Sequence, residues 1–135
     1  MTHSDIIDYL ETQALAAGAA SFWHGKQAQA DINYNAPFPQ ALLFLMPSKL
    51  KQGNVTVQCA MCFISNDQHE NGSAESIAIV DAMDKLTQQF HVLLAEGEAM
   101  ELVDEVMERA PVHRKGSSIG TGYYVTFSLQ TKMVC

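Results

Sequence analysis

Residues 55–64 read Val-Thr-Val-Gln-Cys-Ala-Met-Cys-Phe-Ile, with Val55, Val57, Cys59, Met61 and Phe63 alternating with Thr56, Gln58, Ala60, Cys62 and Ile64. Successive side chains on a strand point to opposite faces, so a period of two sustained over ten residues predicts a β-strand. Upstream, Ser48 to Asn54, with Gly53-Asn54, reads as a turn. Ahead of that turn, Ala41 to Met46 is apolar on both faces and predicts a central strand. Pro47 ends it, because proline cannot donate to a ladder. Asn35 to Pro39 holds two prolines around Phe38, which forces an extended crossing into that strand.

Further upstream, Phe22-Trp23 reads as a short strand. Ala28, Ala30, Ile32 and Tyr34, alternating with Gln27, Gln29, Asp31 and Asn33, read as a half-buried one, joined to it at Gly25-Lys26. The first element is a helix over Ser4 to Ala17, where Ile6, Ile7, Leu10, Ala14 and Ala17 form one apolar stripe. Thr2 or Ser4 can cap its start, Asp5 and Asp8 suit its positive end, and Gly18 suits its C-terminal turn.

Downstream, Ser65 to Gly72 is a polar loop. Ser73 can then cap a helix of about 23 residues, about 35 Å long, in which Ile77, Val80, Met83, Leu86, Phe90, Leu93 and Leu94 keep the helical period up to Gly97. Two strands close the chain. One lies over Met100 to Met107, or continues to Arg114; the other covers Tyr123 to Val134, and Lys115 to Gly122 forms a glycine-rich turn between them. The order is αββββαββ. Strands in runs rather than alternating with helices predict an α+β fold: a mostly antiparallel sheet of five to six strands with two helices on one face.

At 135 residues, 47% hydrophobic and 17% charged, the chain forms one domain over 1–135 and buries about two-thirds of its surface without disulfides or metals. Eight Lys and Arg against fifteen Asp and Glu give a net charge of -7, which opposes contact with a phosphate backbone. The densest basic group is only Arg109, His113, Arg114 and Lys115. The longest apolar run is Ala41 to Met46, far from the roughly 18 residues of a membrane span. Met1 to Ala14 lacks a basic region followed by an apolar run, so no secretory signal is expected. Cys59, Cys62 and Cys135, an odd number, read as free thiols in a reducing cytosol.

Candidate chemistry is sparse. Cys59 and Cys62 have the spacing of a zinc or redox pair, but there is no second pair, and on a strand residues three apart face opposite ways. They read as two small apolar sheet residues. Asp67, His69 and Glu70 offer metal-ligand atoms, yet their spacing fits no calcium loop and position 73 is Ser where a His-Glu-x-x-His helix needs its second histidine. They read as a solvated loop at the helix entry. His3, His24, His69, His91 and His113 are scattered, and His91 reads as a helix-flank residue. Ser117, Ser118, Gly120 and Gly122 precede a strand, whereas phosphate-cradling glycines lead from a strand into a helix. Asp81, Asp84, Glu101, Asp104 and Glu105 read as solvated faces. No residue is assigned a catalytic, cofactor-binding or metal-binding role, no cofactor is expected, and the chain is expected not to be an enzyme.

Taken together, the N-terminal helix, the aromatic strand, the Asn35-Ala-Pro-Phe-Pro39 crossing into Ala41-Leu-Leu-Phe-Leu-Met46, the long helix and the final Gly120-Thr-Gly-Tyr-Tyr-Val-Thr-Phe-Ser-Leu129 strand resemble the tail terminator, or tail completion, proteins of long-tailed phages. The resemblance spans Ile6 to Thr131 and rests on element order and patterned stretches. The chain is also similar to small prophage-borne open reading frames of Bacteroides-type gut bacteria. The resemblance implies a ring-forming structural protein, usually a hexamer, that caps the tail tube and gives the head a docking surface. Its implied partners are copies of itself, the tail tube protein and the head-tail connector, with no sequence-specific nucleic acid and no membrane. It implies residence in the host bacterial cytoplasm during assembly and then in the virion tail. The family has no active motif to match, so no residue carries over as functional.

An acidic ring would let DNA slide without sticking, which predicts that the carboxylates gather on one surface. Lys115 to Gly122 and Ser65 to Gly72 are the loops expected to order on assembly. Three other readings stand beside this one: a head-tail connector of similar element order, a small ligand-binding or enzymatic domain drawing on Asp67, His69 or the cysteines, and an adaptor whose edge strands pair with a partner.

Overall fold

The computed structural model describes residues 2–25, 37–44, 47–51, 54–66, 73–115 and 120–132. Its elements are α1 (His3–Ala17), β1 (Ser21–Gly25), β2 (Gln40–Phe44), β3 (Ser48–Lys51), β4 (Asn54–Asn66), α2 (Ser73–Glu96), β5 (Glu101–Lys115) and β6 (Gly120–Lys132). They build an α+β fold with a six-stranded sheet in the order β1-β2-β4-β6-β5, and β3 also pairs with β4. Among the described residues only β1 and β2 run parallel; every other pair is antiparallel.

The stretch at 55–64 extends to thirteen residues as β4 and pairs along its whole length with β6, from Asn54 opposite Lys132 to Asn66 opposite Gly120. Its alternation sorts two apolar layers. Val57, Cys59, Met61 and Phe63 join Ala41, Leu43, Val125, Phe127 and Leu129 under both helices. Ala60, Cys62 and Ile64 join Leu42 and Phe44 on the opposite face, against Trp23, Phe38, Val112 and Tyr124. From α1 the helix layer contributes Ile6, Leu10 and Ala14, and from α2 Met83, Leu86, Phe90 and Leu94. Phe90 is the pivot, with its ring centroid 4.9 Å from Phe63 and 5.8 Å from Phe127.

Thr2 is the residue that caps α1: the Asp5 N–H donates to the Thr2 hydroxyl at 3.2 Å and the Thr2 N–H donates back to the Asp5 carboxylate at 2.9 Å. This reciprocal pair satisfies donors that the first turn leaves orphaned. Gly18 closes the helix at φ 129°, and its N–H donates to the Leu15 carbonyl. In α2 the apolar stripe starts later than the sequence pattern predicts. Ile77 is 59% exposed, and burial begins in earnest at Met83.

Several sequence expectations are corrected. Ser48 to Lys51, read as part of a turn, forms β3 against Asn54 to Val57. Four exposed or polar residues give no alternating signal; pairing to β4 makes them a strand. The turn read over Lys115 to Gly122 shrinks from both sides, because β5 runs to Lys115 and β6 begins at Gly120. Gly122 is a strand residue whose added Cβ would meet the Phe63 carbonyl oxygen at 1.8 Å, so a close backbone approach, not a flexible tip, requires glycine there. Ser65 and Asn66 belong to β4 rather than to the polar loop, and α2 opens at Ser73 itself. The strand read at 28–34, the rest of both loops (67–72 and 116–119) and residues 45–46 lie outside the described residues.

Candidate functional site

Cys59 and Cys62 sit on opposite faces of β4, in separate apolar layers, as the strand spacing predicts. Burial pushes the Cys59 thiol up to about 12, which keeps it protonated and unreactive. Asp67, His69, Glu70, Ser117 and Ser118 lie outside the described residues; Gly120 and Gly122 lie in β6. Among the described residues no group of three or more His, Cys, Asp or Glu is placed to hold a metal ion.

The most developed polar arrangement joins α2 to β5, and local sequence gives no hint of it. Asp84, read as part of a solvated face, forms an ion pair with Arg109, twenty-five residues away. Arg109 also donates to the Thr87 hydroxyl at 2.9 Å and lies 4.9 Å from the centre of the Tyr123 ring. Gln88 donates to the same Asp84 oxygen at 2.9 Å. Hydrogen bonding from Arg109, then from Gln88, holds the Asp84 carboxyl below the usual carboxylate range. One turn on, the His91 Nε2–H donates to the Glu105 carbonyl at 2.8 Å.

That carbonyl belongs to a bulge. Between the pairs Leu102–Leu129 and Met107–Phe127, four residues of β5 stand opposite one of β6, and Asp104 and Glu105 take φ of 55° and 54°. Left-handed backbone in two successive non-glycine residues is strained, and the His91 bond together with the Arg109 anchor holds it from the helix side. Open concavities of about 470 and 460 Å³ flank the bulge. One is lined by Gln58, Asp104, Glu108 and Ser128, and the other by Thr87, His91, Val106 and Arg109. Every strong base or cation in them is engaged: His91 by the bulge, Arg109 by Asp84 and Thr87. The arrangement fastens an edge strand to a helix.

The charges are segregated. All twelve carboxylates among the described residues lie on α1, α2, the 97–100 connection or β5. Strands β1, β2, β3, β4 and β6 carry none; of the described cations Lys49 and Lys51 fall on β3, Lys132 ends β6, Lys85 lies on α2, and Arg109, Arg114 and Lys115 lie on the second half of β5. From Glu96 to Glu108 there are six carboxylates and no Lys or Arg. The sequence contained this block, but only the topology shows that it forms one end of the helix layer and one margin of the sheet. No model of a known protein family matches the chain, and no curated protein matches its sequence.

Proposed function

We propose that this chain is a structural subunit of a long-tailed phage or prophage, one that closes into a ring and terminates the tail tube at the head-tail junction. The observation that carries the reading is the segregation of charge: both helices cover one face of the sheet, and that layer holds Asp5, Asp8, Glu11, Glu75, Asp81, Asp84 and Glu96 against Lys85 alone. A surface of this sign lining a channel repels the phosphate backbone, so DNA passes without being held. The element order that resembles the tail terminators supports the same reading, as does a polar network spent on fixing an edge strand.

The test is the mass of the purified chain by light scattering after size exclusion, with negative-stain imaging of the same fractions. A ring of several copies with a central opening, adding to isolated tail tubes, is expected. A strictly monomeric chain at high concentration, with no ring in the images, would sink the reading. Stoichiometric protection against unfolding by zinc or a nucleotide would favour the ligand-binding alternative.

A further inference from the structure

The two margins of the sheet that flank β4 and β6 are of opposite sign and stand at the same height. Lys49 on β3 pairs with Thr56 on β4, Thr56 with Gln130 on β6, and Gln130 with Glu101 on β5. These four residues form one row across the sheet. It is about 14 Å wide at three strand spacings, and has a lysine at one end and a glutamate at the other. Among the described residues no strand pairs with the outer side of β3 or of β5. Each margin also exposes a large aliphatic side chain beside its charges: Leu50 is 72% exposed next to Lys49, and Val106 is 53% exposed between Glu105 and Glu108.

We infer that the β3 margin of one copy docks on the acidic Glu101–Glu108 half of β5 in the next copy, so that the subunits join head to tail. This inference rests on the ring reading above and names the contact that would build it. Charge decides the pairing. The acidic half of β5 meeting the same half of another copy sets four exposed carboxylates (Glu101, Asp104, Glu105 and Glu108) against four more, and β3 against β3 opposes lysines. The mixed contact is attractive and heterologous, the kind that closes rings. An antiparallel β5–β5 contact, which sets this acidic half against the half carrying Arg109, Arg114 and Lys115, would give a two-fold dimer untouched by the β3 variant and is the competing outcome. The bulge and Pro111, which supplies no N–H, blunt β5 against simple strand addition, so the contact is made by side chains. Because both margins belong to one sheet, successive copies present their helix layers to the same side.

The experiment uses two full-length variants, Lys49→Glu with Lys51→Glu, and Glu101→Lys with Glu105→Lys and Glu108→Lys. Lys49 and the three glutamates are exposed, and circular dichroism verifies the fold of each variant. The first has only carboxylates on β3 and on the 101–108 half of β5; the second has two lysines on β3 and three lysines against Asp104 alone on that half of β5. Each alone is expected to run at monomer mass, and the equimolar mixture is expected to regain the mass of the wild-type assembly. Milder variants, Lys49→Gln and Glu108→Gln, are expected to shift assembly to several-fold higher protein concentration. If the charge-reversed variants assemble singly like the wild type, or if mixing them restores nothing, the margin contact is overturned while the ring reading stands. If the wild-type chain itself never assembles, both fall.

Discussion

Gly122 lies so close to the backbone of Phe63 that a Cβ on it would sit 1.8 Å from the Phe63 carbonyl oxygen and 2.9 Å from the carbonyl carbon. The obstacle is main chain in the central strand pair, so it cannot rotate aside. Gly122→Ala is therefore expected to cost about 3 kcal/mol, the upper end of overpacking penalties. Gly18→Ala, where the nearest side-chain atom is 3.9 Å from the new Cβ and only φ 129° is at issue, is expected to cost about 1–2 kcal/mol. Urea midpoints of the two variants give the ranking; the reverse order would discredit the close-approach account.

The Asp84–Arg109 tie gives the acid limb of stability a specific source. The Asp84 carboxyl is held below its ordinary value of about 4, so the fold favours its charged form. Its contribution is present above about pH 4 and is lost as pH falls through the lower folded-state value. Asp84→Asn should lose little at neutral pH, because the pair is solvent-accessible, and should flatten the decline in stability on acidification. Urea midpoints measured from neutral pH down to pH 3 check this, and an unchanged acid limb would assign the decline to other carboxylates.

Tyr9 and Gly97 are coupled across the helix layer. The Tyr9 hydroxyl is buried with no hydrogen-bond partner among the described residues, and a Cβ on Gly97 would meet it at 2.1 Å. Tyr9→Phe removes an unsatisfied oxygen and should stabilise by about 1 kcal/mol. Gly97→Ala should destabilise the wild type but cost much less in the Tyr9→Phe background, where the nearest ring atom stands at 3.4 Å. A double-mutant cycle measures the interaction, and simple additivity would refute it.

The bulge predicts an unusual gain. Asp104 is held at φ 55°, where an L side chain costs about 1–2 kcal/mol and glycine does not. After glycine's extra chain entropy is subtracted, Asp104→Gly is expected to gain about 0.5 kcal/mol, and Asp104→Val to lose stability. Thermal midpoints of the pair, falling on either side of the wild type, are the readout.

What the sequence made legible follows from how far each determinant reaches. The alternation of 55–64 and the stripe of Leu10 and Ala14 are local, and both survive in the structure. Strand β3 was illegible because Ser-Lys-Leu-Lys has no buried face of its own and becomes a strand only by pairing with Asn54 to Val57. The bulge was hidden because Asp104 and Glu105 lack the glycine that marks left-handed backbone, and support comes from His91, fourteen residues away. Gly122 looked like punctuation since a glycine's spacing cannot reveal which backbone it lies against. The Asp84–Arg109 pair and the opposed signs of β3 and β5 are products of topology. No window along the chain contains both ends of either.

The placement of Cys59 and Cys62 in separate layers gives the molecule a pair of native reporters. A thiol dye reaches Cys59 only when the helix layer lifts from the sheet, and reaches Cys62 only when the apolar face beneath Trp23 and Tyr124 opens. In a Cys135→Ser background, their labelling rates separate peeling of the helices from loosening of the opposite face. Measured before and after assembly, the two rates tell which side of the sheet a neighbouring subunit clamps shut.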